Sequence, residues 1–325
     1  MQEEKERLSN TFTRKQFYSR LRAFLYAACG TLSPIWERIS ADRGKLWRPK
    51  LLLSLAESGK GYADRRALDL AVAVELLHLA TLVHDDIVDD SLLRRGKASL
   101  PAEWGCGCAV LTGDLLFAKS YDLFIRTGDA EVWAAANRVI MQMSQAELEQ
   151  EIYRWEPGIT EHVYLERCRK KTGSLFALSA RIGAFCAAFS RANAERAEKF
   201  GELFGTAYQI HDDLMDICGS PEILGKPRGN DYSRGISTLP VIYILRKLGM
   251  EGINKWWGRR LSPAEMDEFA LFLKKHGALE YTCLKVISYL DRAGAVLPCL
   301  MEKSGSVLRD CLFQLSDGVK SCING

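Results

Sequence analysis

The sequence predicts an all-α protein, and three observations carry that reading. Apolar residues recur at helical spacing through five stretches: Ala67 to Leu82, Trp133 to Ile152, Phe176 to Ala188, Ala194 to Asp216 and Pro263 to His276. No stretch sustains the period-two alternation of a half-buried strand. Breaks are expected where Gly and Pro gather, at Arg94 to Gly113, Trp155 to Thr160 and Gly219 to Gly235, the last two being loops by composition. With 325 residues, 47% of them hydrophobic, the chain can bury a large core, and we read it as one domain over residues 1–325.

Each helix has a local reason. Val72-Ala73-Val74, Leu76-Leu77, Leu79 and Leu82-Val83 make the first stretch strongly apolar, and it runs into His84-Asp85-Asp86-Ile87-Val88-Asp89-Asp90. The second, Trp133 to Ile152, rests on its apolar period alone. Lys170-Lys171-Thr172-Gly173 is expected to open the third. In the fourth, Phe204, Ala207-Tyr208 and Ile210 lead to His211-Asp212-Asp213-Leu214-Met215-Asp216, so both acidic clusters end apolar helices and share the pattern Asp-Asp-x-x-Asp. The fifth has a complete start signal: Ser262 as N-cap, Pro263 in the first helical position and Glu265 at the capping-box position.

The duplicated acidic pattern carries the chemistry. Residues i and i+4 share a helix face with Cβ atoms about 5–6 Å apart, so Asp85 pairs with Asp89 and Asp212 with Asp216. Charges at the end of a buried helix are costly unless paired or metal-bound. Oxygen-only ligands favour a hard cation such as Mg²⁺, which usually binds through one or two carboxylates plus substrate phosphates. Cations accompany both clusters: Lys45 and Arg48 before the first, Arg94-Arg95 after it, Lys170-Lys171 in between, and Lys226 and Arg228 after the second. Arg forks and Lys point charges suit phosphate oxygens, enough for two separate diphosphates. Thr172 is expected to add a hydroxyl at a helix start, where free N–H groups favour anions. His78 lies seven residues before Asp85, nearly on its face, and reads as a ligand contact; His84 and His211 read as supporting groups.

A net charge of +3, from 44 Lys+Arg against 41 Asp+Glu, gives no reason to expect a nucleic-acid partner. No apolar run is expected to span a membrane, and the polar start does not resemble a signal peptide, so a cytoplasmic protein is expected. Ten Cys without a C-x-x-C pair read as reduced core residues, and Cys106-Gly107-Cys108 has no His or Cys nearby in sequence to complete a metal site.

The ordered set Gly44-Lys45-x-x-Arg48-Pro49, His78 with Asp85-Asp86-x-x-Asp89, Arg94-Arg95-Gly96, Gly113-Asp114, Lys171-Thr172-Gly173, Gln209 with Asp212-Asp213-x-x-Asp216, and Gly225-Lys226-Pro227 resembles the trans-type isoprenyl diphosphate synthases, or polyprenyl synthetases. The resemblance implies a single-domain helical bundle of the isoprenoid synthase type with a central cavity. It also implies head-to-tail condensation of isopentenyl diphosphate onto an allylic diphosphate, with Mg²⁺ bridging the acidic clusters and the leaving group. By the same resemblance Asp85, Asp89 and Asp212 bind metal, and Asp86, Asp213 and Asp216 are further ligands or support. Arg94, Lys171, Thr172, Gln209 and Lys226 hold the allylic diphosphate; Lys45, Arg48, His78 and Arg95 hold isopentenyl diphosphate. A homodimer is implied, with a heterodimer as the other arrangement, and a product delivered to membrane.

By the same resemblance, Ala80 and Thr81, small residues five and four places before Asp85, imply a long-chain product, with Phe117, Tyr121 and Phe124 as candidates for a deeper floor or for ordinary core packing. Three departures stand out: Ile236 where relatives have Lys, Ala98 and Pro101 after Arg95-Gly96-Lys97, and an end at 319–325 without a basic tail. The rival readings are a class I terpene cyclase, whose second site usually mixes Asn, Ser or Thr with Glu; a noncatalytic subunit of a heteromeric synthase, in which the acidic motifs are commonly lost; and a metal phosphohydrolase, which needs more than the 5 His present.

Overall fold

The computed structural model describes residues 15–27, 30–41, 44–60, 63–219, 228–296, 308–309 and 312–317. In chain order the helices are α1 (15–26), α2 (Ser33–Ala41), α3 (Trp47–Lys60), α4 (Arg65–Val88), α5 (Leu100–Ile125), α6 (Ala130–Ile152), α7 (Glu161–Cys168), α8 (Ser174–Cys186), α9 (Arg191–Cys218), α10 (Asn230–Ser233), α11 (Leu239–Leu248), α12 (Pro263–Lys275) and α13 (Ala278–Val296). The β-structure among the described residues is one antiparallel hairpin, Leu93–Arg94 with Lys97–Ala98. The all-α class and all five predicted helices are present. The described residues of Met1–Asn137, Leu178–Glu198 and Cys299–Leu308 form one compact unit; those of Arg138–Ala177, Lys199–Pro298 and Arg309–Gly325 form a second.

The first unit is built around α4, which packs chiefly on α5 and α3. Asp64 caps α4 by accepting from the Ala67 amide at 2.9 Å. Leu70, Ala71, Val72, Ala73, Val74, Leu76 and Leu77 are all buried, so this helix is apolar all round, as a central helix must be. Contrary to the expectation that no run would qualify, α4 is long and apolar enough to cross a bilayer. With 67% of that window buried inside the protein, it is a core helix. Arg20 clamps α1 to α4 through Asp69 at 2.6 Å, and the Ser120 hydroxyl on α5 donates to the Ala73 carbonyl at 2.8 Å.

In the second unit Phe204 stacks on Phe200 and meets Phe176 edge to face where α8 meets α9. The approach is close because of glycine: a Cβ on Gly201 would lie 2.4 Å from the Phe176 carbonyl oxygen, and one on Gly205 would lie 2.9 Å from Gly173 Cα. The capping box on α12 forms as the sequence predicts, Ser262 accepting from the Glu265 amide and Glu265 accepting from the Ser262 amide.

Two expectations are corrected. The break over Arg94 to Gly113 is confined to the hairpin, and α5 begins at Leu100 under a Ser99 cap. Pro101 in the first turn removes an amide that would have been unpaired there, and Gly105 absorbs the kink at φ 82°. Nor does Lys170-Lys171-Thr172-Gly173 open a helix. Residues Arg169–Gly173 form a π-helical turn that joins α7 to α8, and the Ser174 amide bonds the Arg169 carbonyl. Thr172 therefore does not stand at a helix start.

Candidate active site

The first acidic cluster occupies the end of α4. Asp85 and Asp86 lie in its last turn and Asp89 is the C-cap, its amide bonding the Asp85 carbonyl at 2.8 Å. A helix C-terminus carries partial negative charge, so three carboxylates there gain from a cation. Asp85 and Asp89 are half-buried. Asp86 is only 4% exposed and accepts from Arg94 Nη1 at 2.6 Å.

Asp90, at φ 48°, turns the chain into the hairpin, whose two-residue loop is Arg95 (φ 49°) and Gly96 (φ 75°), both left-handed as the twist of such a hairpin demands. Ala98 pairs with Leu93, and the Ser99 amide closes the base on the Leu92 carbonyl at 3.0 Å, so the Ala98 and Pro101 departures leave a well-formed hairpin. Its tip places Arg95 against Gly44, where a Cβ would lie 2.9 Å from the guanidinium. On α3, Arg48 Nη1 lies 3.2 Å from His78 Nε2. Arg can only donate, so Nε2 accepts and His78 is neutral. Burial, then the charges of Arg48, Arg94 and Arg95, hold its pKa well below 6.5. Arg48, His78, Arg94 and Arg95 thus come together; Lys45 is exposed on the adjoining segment.

His84 faces α5. Its ring packs on Phe117, with centroids 5.5 Å apart, and Nε2 lies 3.2 Å from the Val110 carbonyl. Gly113 makes room: a Cβ there would be 2.1 Å from Nε2. The expected supporting role fits. Along the same helices Ala80 and Phe124 are fully buried, the Thr81 hydroxyl donates to the His78 carbonyl at 2.8 Å, and the Tyr121 hydroxyl donates to Asn137 at 3.0 Å.

The second cluster ends α9. Asp212 is exposed, while Asp213 (7%) and Asp216 (2%) are buried. Asp213 accepts from the Tyr164 hydroxyl at 2.6 Å on one oxygen and from Gln209 Nε2 at 2.7 Å on the other. Burial, then the charge of Asp231, pushes its carboxyl up to about 7 against the pull of those two bonds. The Thr172 hydroxyl bonds Gln209 Oε1. Lys171 Nζ reaches Glu147 at 2.7 Å and Lys170 reaches Glu149 at 3.1 Å, so acidic residues of α6 hold both lysines. The Asp231 amide donates to Asp216 at 3.1 Å, and Arg228 pairs with Asp267. Ile236 is buried at 5%, and the neighbouring Ser237 carbonyl accepts from Arg167 at 2.9 Å, so the departure there is an apolar core position. Lys226, with Gly225 and Pro227, and the end at 319–325 lie outside the described residues.

Tyr164, Glu147 and Glu149 were not picked out from the sequence. The seven-residue interval from Tyr164 to Lys171 was the available signal, since it repeats a helix face. The acidic clusters suit a hard divalent cation: their donors are carboxylate oxygens, and Asp85, Asp89 and Asp212 are all accessible at their helix ends. Among the described residues no group of three or more His, Cys, Asp or Glu is placed to hold a metal ion by itself.

The chain is similar to known proteins over most of its length. The heptaprenyl diphosphate synthase component 2 of Geobacillus stearothermophilus is 36% identical over 270 residues, 82% of this chain and 83% of that protein. The geranylgeranyl diphosphate synthase of Methanosarcina mazei is 33% identical over 286 residues, 84% of each chain. The crystal structure of a polyprenyl synthase from Caulobacter crescentus CB15, complexed with calcium and isoprenyl diphosphate, superposes with a TM-score of 0.84 at 29% identity, covering 97% of this chain and 96% of that one. The family model for polyprenyl synthetase matches residues 30–267, a span that holds both acidic clusters and the cations around them, and the chain belongs to the polyprenyl synthetase family, with its helical isoprenoid synthase fold.

Proposed function

We propose that this protein is a Mg²⁺-dependent trans-polyprenyl diphosphate synthase, which condenses isopentenyl diphosphate head-to-tail onto an allylic diphosphate to give a long-chain product. The observation that carries the reading is the presence of two Asp-Asp-x-x-Asp helix ends, each with its own cations, in one member of the family. Asp85, Asp89 and Asp212 are the metal ligands, and Mg²⁺ would neutralise the charge gathering on the departing diphosphate. Arg94, Lys171, Thr172, Gln209 and Lys226 hold that diphosphate. Arg48, His78 and Arg95, joined by Lys45, hold isopentenyl diphosphate; neutral His78 leaves the anion to the three cations around it. The released diphosphate is the base for the final proton. Asp86, Asp213 and Asp216, buried and bonded by their neighbours, orient their accessible partners.

We take the chain as one catalytic domain over residues 1–325, within which the family model matches residues 30–267. Ten Cys without a C-x-x-C pair fit a reducing, cytoplasmic setting. We take the homodimer as the working assembly.

The test is incubation of the purified chain with farnesyl diphosphate, radiolabelled isopentenyl diphosphate and Mg²⁺, followed by chromatography. Longer prenyl diphosphates are expected, and EDTA should abolish them. Free phosphate without elongation, or a cyclic hydrocarbon, would overturn the reading. A second reading is favoured by the 36% identity to a protein called component 2: that this chain works with a different subunit. Inactivity of the chain alone, relieved by another protein, would select it.

A further inference from the structure

Tyr164 is fully buried on α7, and its hydroxyl is bonded to Asp213 at 2.6 Å. A phenylalanine would fill the same space; the hydroxyl adds the bond that satisfies one oxygen of the buried Asp213 carboxyl, which is costly to bury unpaired. The use is visible in what Asp213 touches. Its second oxygen takes Gln209 Nε2 at 2.7 Å, and Gln209 Oε1 takes the Thr172 hydroxyl. With both oxygens engaged, Asp213 joins three helical segments: α7 through Tyr164, α9 through itself and Gln209, and the π turn through Thr172.

We propose that Tyr164 is a positioning residue: through Asp213 and Gln209 its phenol fixes the neighbouring Asp212 carboxylate and the Thr172 hydroxyl for the metal-bound diphosphate. This rests on the prenyl-transfer reading for the identity of the ligand. The phenol keeps its proton, since burial and then the Asp213 charge raise its pKa well above 10. Deleting the phenol frees one Asp213 oxygen, and the carboxylate is then free to rotate away from Gln209, so that Thr172 loses its fixed partner. Groups that orient metal ligands in this way typically change metal affinity by about 10- to 100-fold when removed.

The test is Tyr164→Phe in the full chain, read first by Mn²⁺ titration followed by electron paramagnetic resonance in the presence of inorganic diphosphate. A rise of about tenfold in the apparent Mn²⁺ Kd is expected. In steady state the Mg²⁺ concentration at half-maximal rate should rise and kcat fall, while KM for isopentenyl diphosphate stays within twofold. A lower Tm with unchanged Mn²⁺ affinity and Mg²⁺ dependence would show a structural role only and overturn the proposal. Asp213→Asn, which keeps the volume, should weaken Mn²⁺ similarly, and adding Tyr164→Phe to it should cost less than a further twofold. Full additivity would overturn the route through Asp213. If wild-type protein binds Mn²⁺ with diphosphate but never elongates a prenyl chain, the prenyl-transfer reading falls while the titration still judges Tyr164.

Discussion

His78 shows how one half-buried side chain can make stability depend on pH. Its folded pKa is depressed, so the unfolded chain takes up a proton near 6.5 that the folded protein refuses until well below that value. Its contribution is therefore fully present above pH 6.5 and declines as pH falls through and below it. His78→Gln, which cannot titrate, should flatten this part of the profile, as measured by urea midpoints across pH. Gly113 makes a second case. A methyl group there meets the His84 ring at 2.1 Å, so Gly113→Ala should cost roughly 1–3 kcal/mol by displacing that ring, readable in urea denaturation. Because His84 adjoins Asp85, activity should fall with it. The glycine is legible in the sequence; what it makes room for is not, because His84 and Gly113 are 29 positions apart along the chain.

Among the elements, α12 is the most self-contained. Its capping box closes within four residues, so its start is readable from the sequence alone. Ser262→Ala should cost about 1 kcal/mol. Bonds from Arg259 and Ser262 hold the Glu265 carboxyl at about 2, so its contribution is present above the ordinary 4.5 and is lost as pH falls from 4.5 toward 2. The difference in Tm between Glu265→Gln and wild type should shrink over that interval. The joint of α7 with α8 is the opposite case. Lys170-Lys171-Thr172-Gly173 looks like a helix start, yet the turn stays helical with a π hydrogen-bond pattern. Glu147 and Glu149 of α6 neutralise its lysines, and Gly173 and Gly205 allow the close crossing with α9. None of those partners is local, so no local signal predicts the turn.

For the whole molecule the sharpest prediction concerns product length. Ala80 is fully buried five residues before Asp85 on the central helix. If the growing chain runs along α4, Ala80→Phe should shorten the dominant product while Tm changes little. An unchanged product with a large fall in Tm would make Ala80 a packing residue. The sequence by itself determined the class, five helices and the family, because helical period and motif order are properties of neighbours along the chain. Only the tertiary structure decided that Asp86 and Asp213 are buried and engaged while Asp85, Asp89 and Asp212 remain accessible. It alone also seated Arg95 on Gly44 and brought Tyr164 to Asp213, 49 positions away. Adjacent aspartates are chemically identical in sequence; they acquire different roles only when packing withdraws one from water and supplies it with a donor.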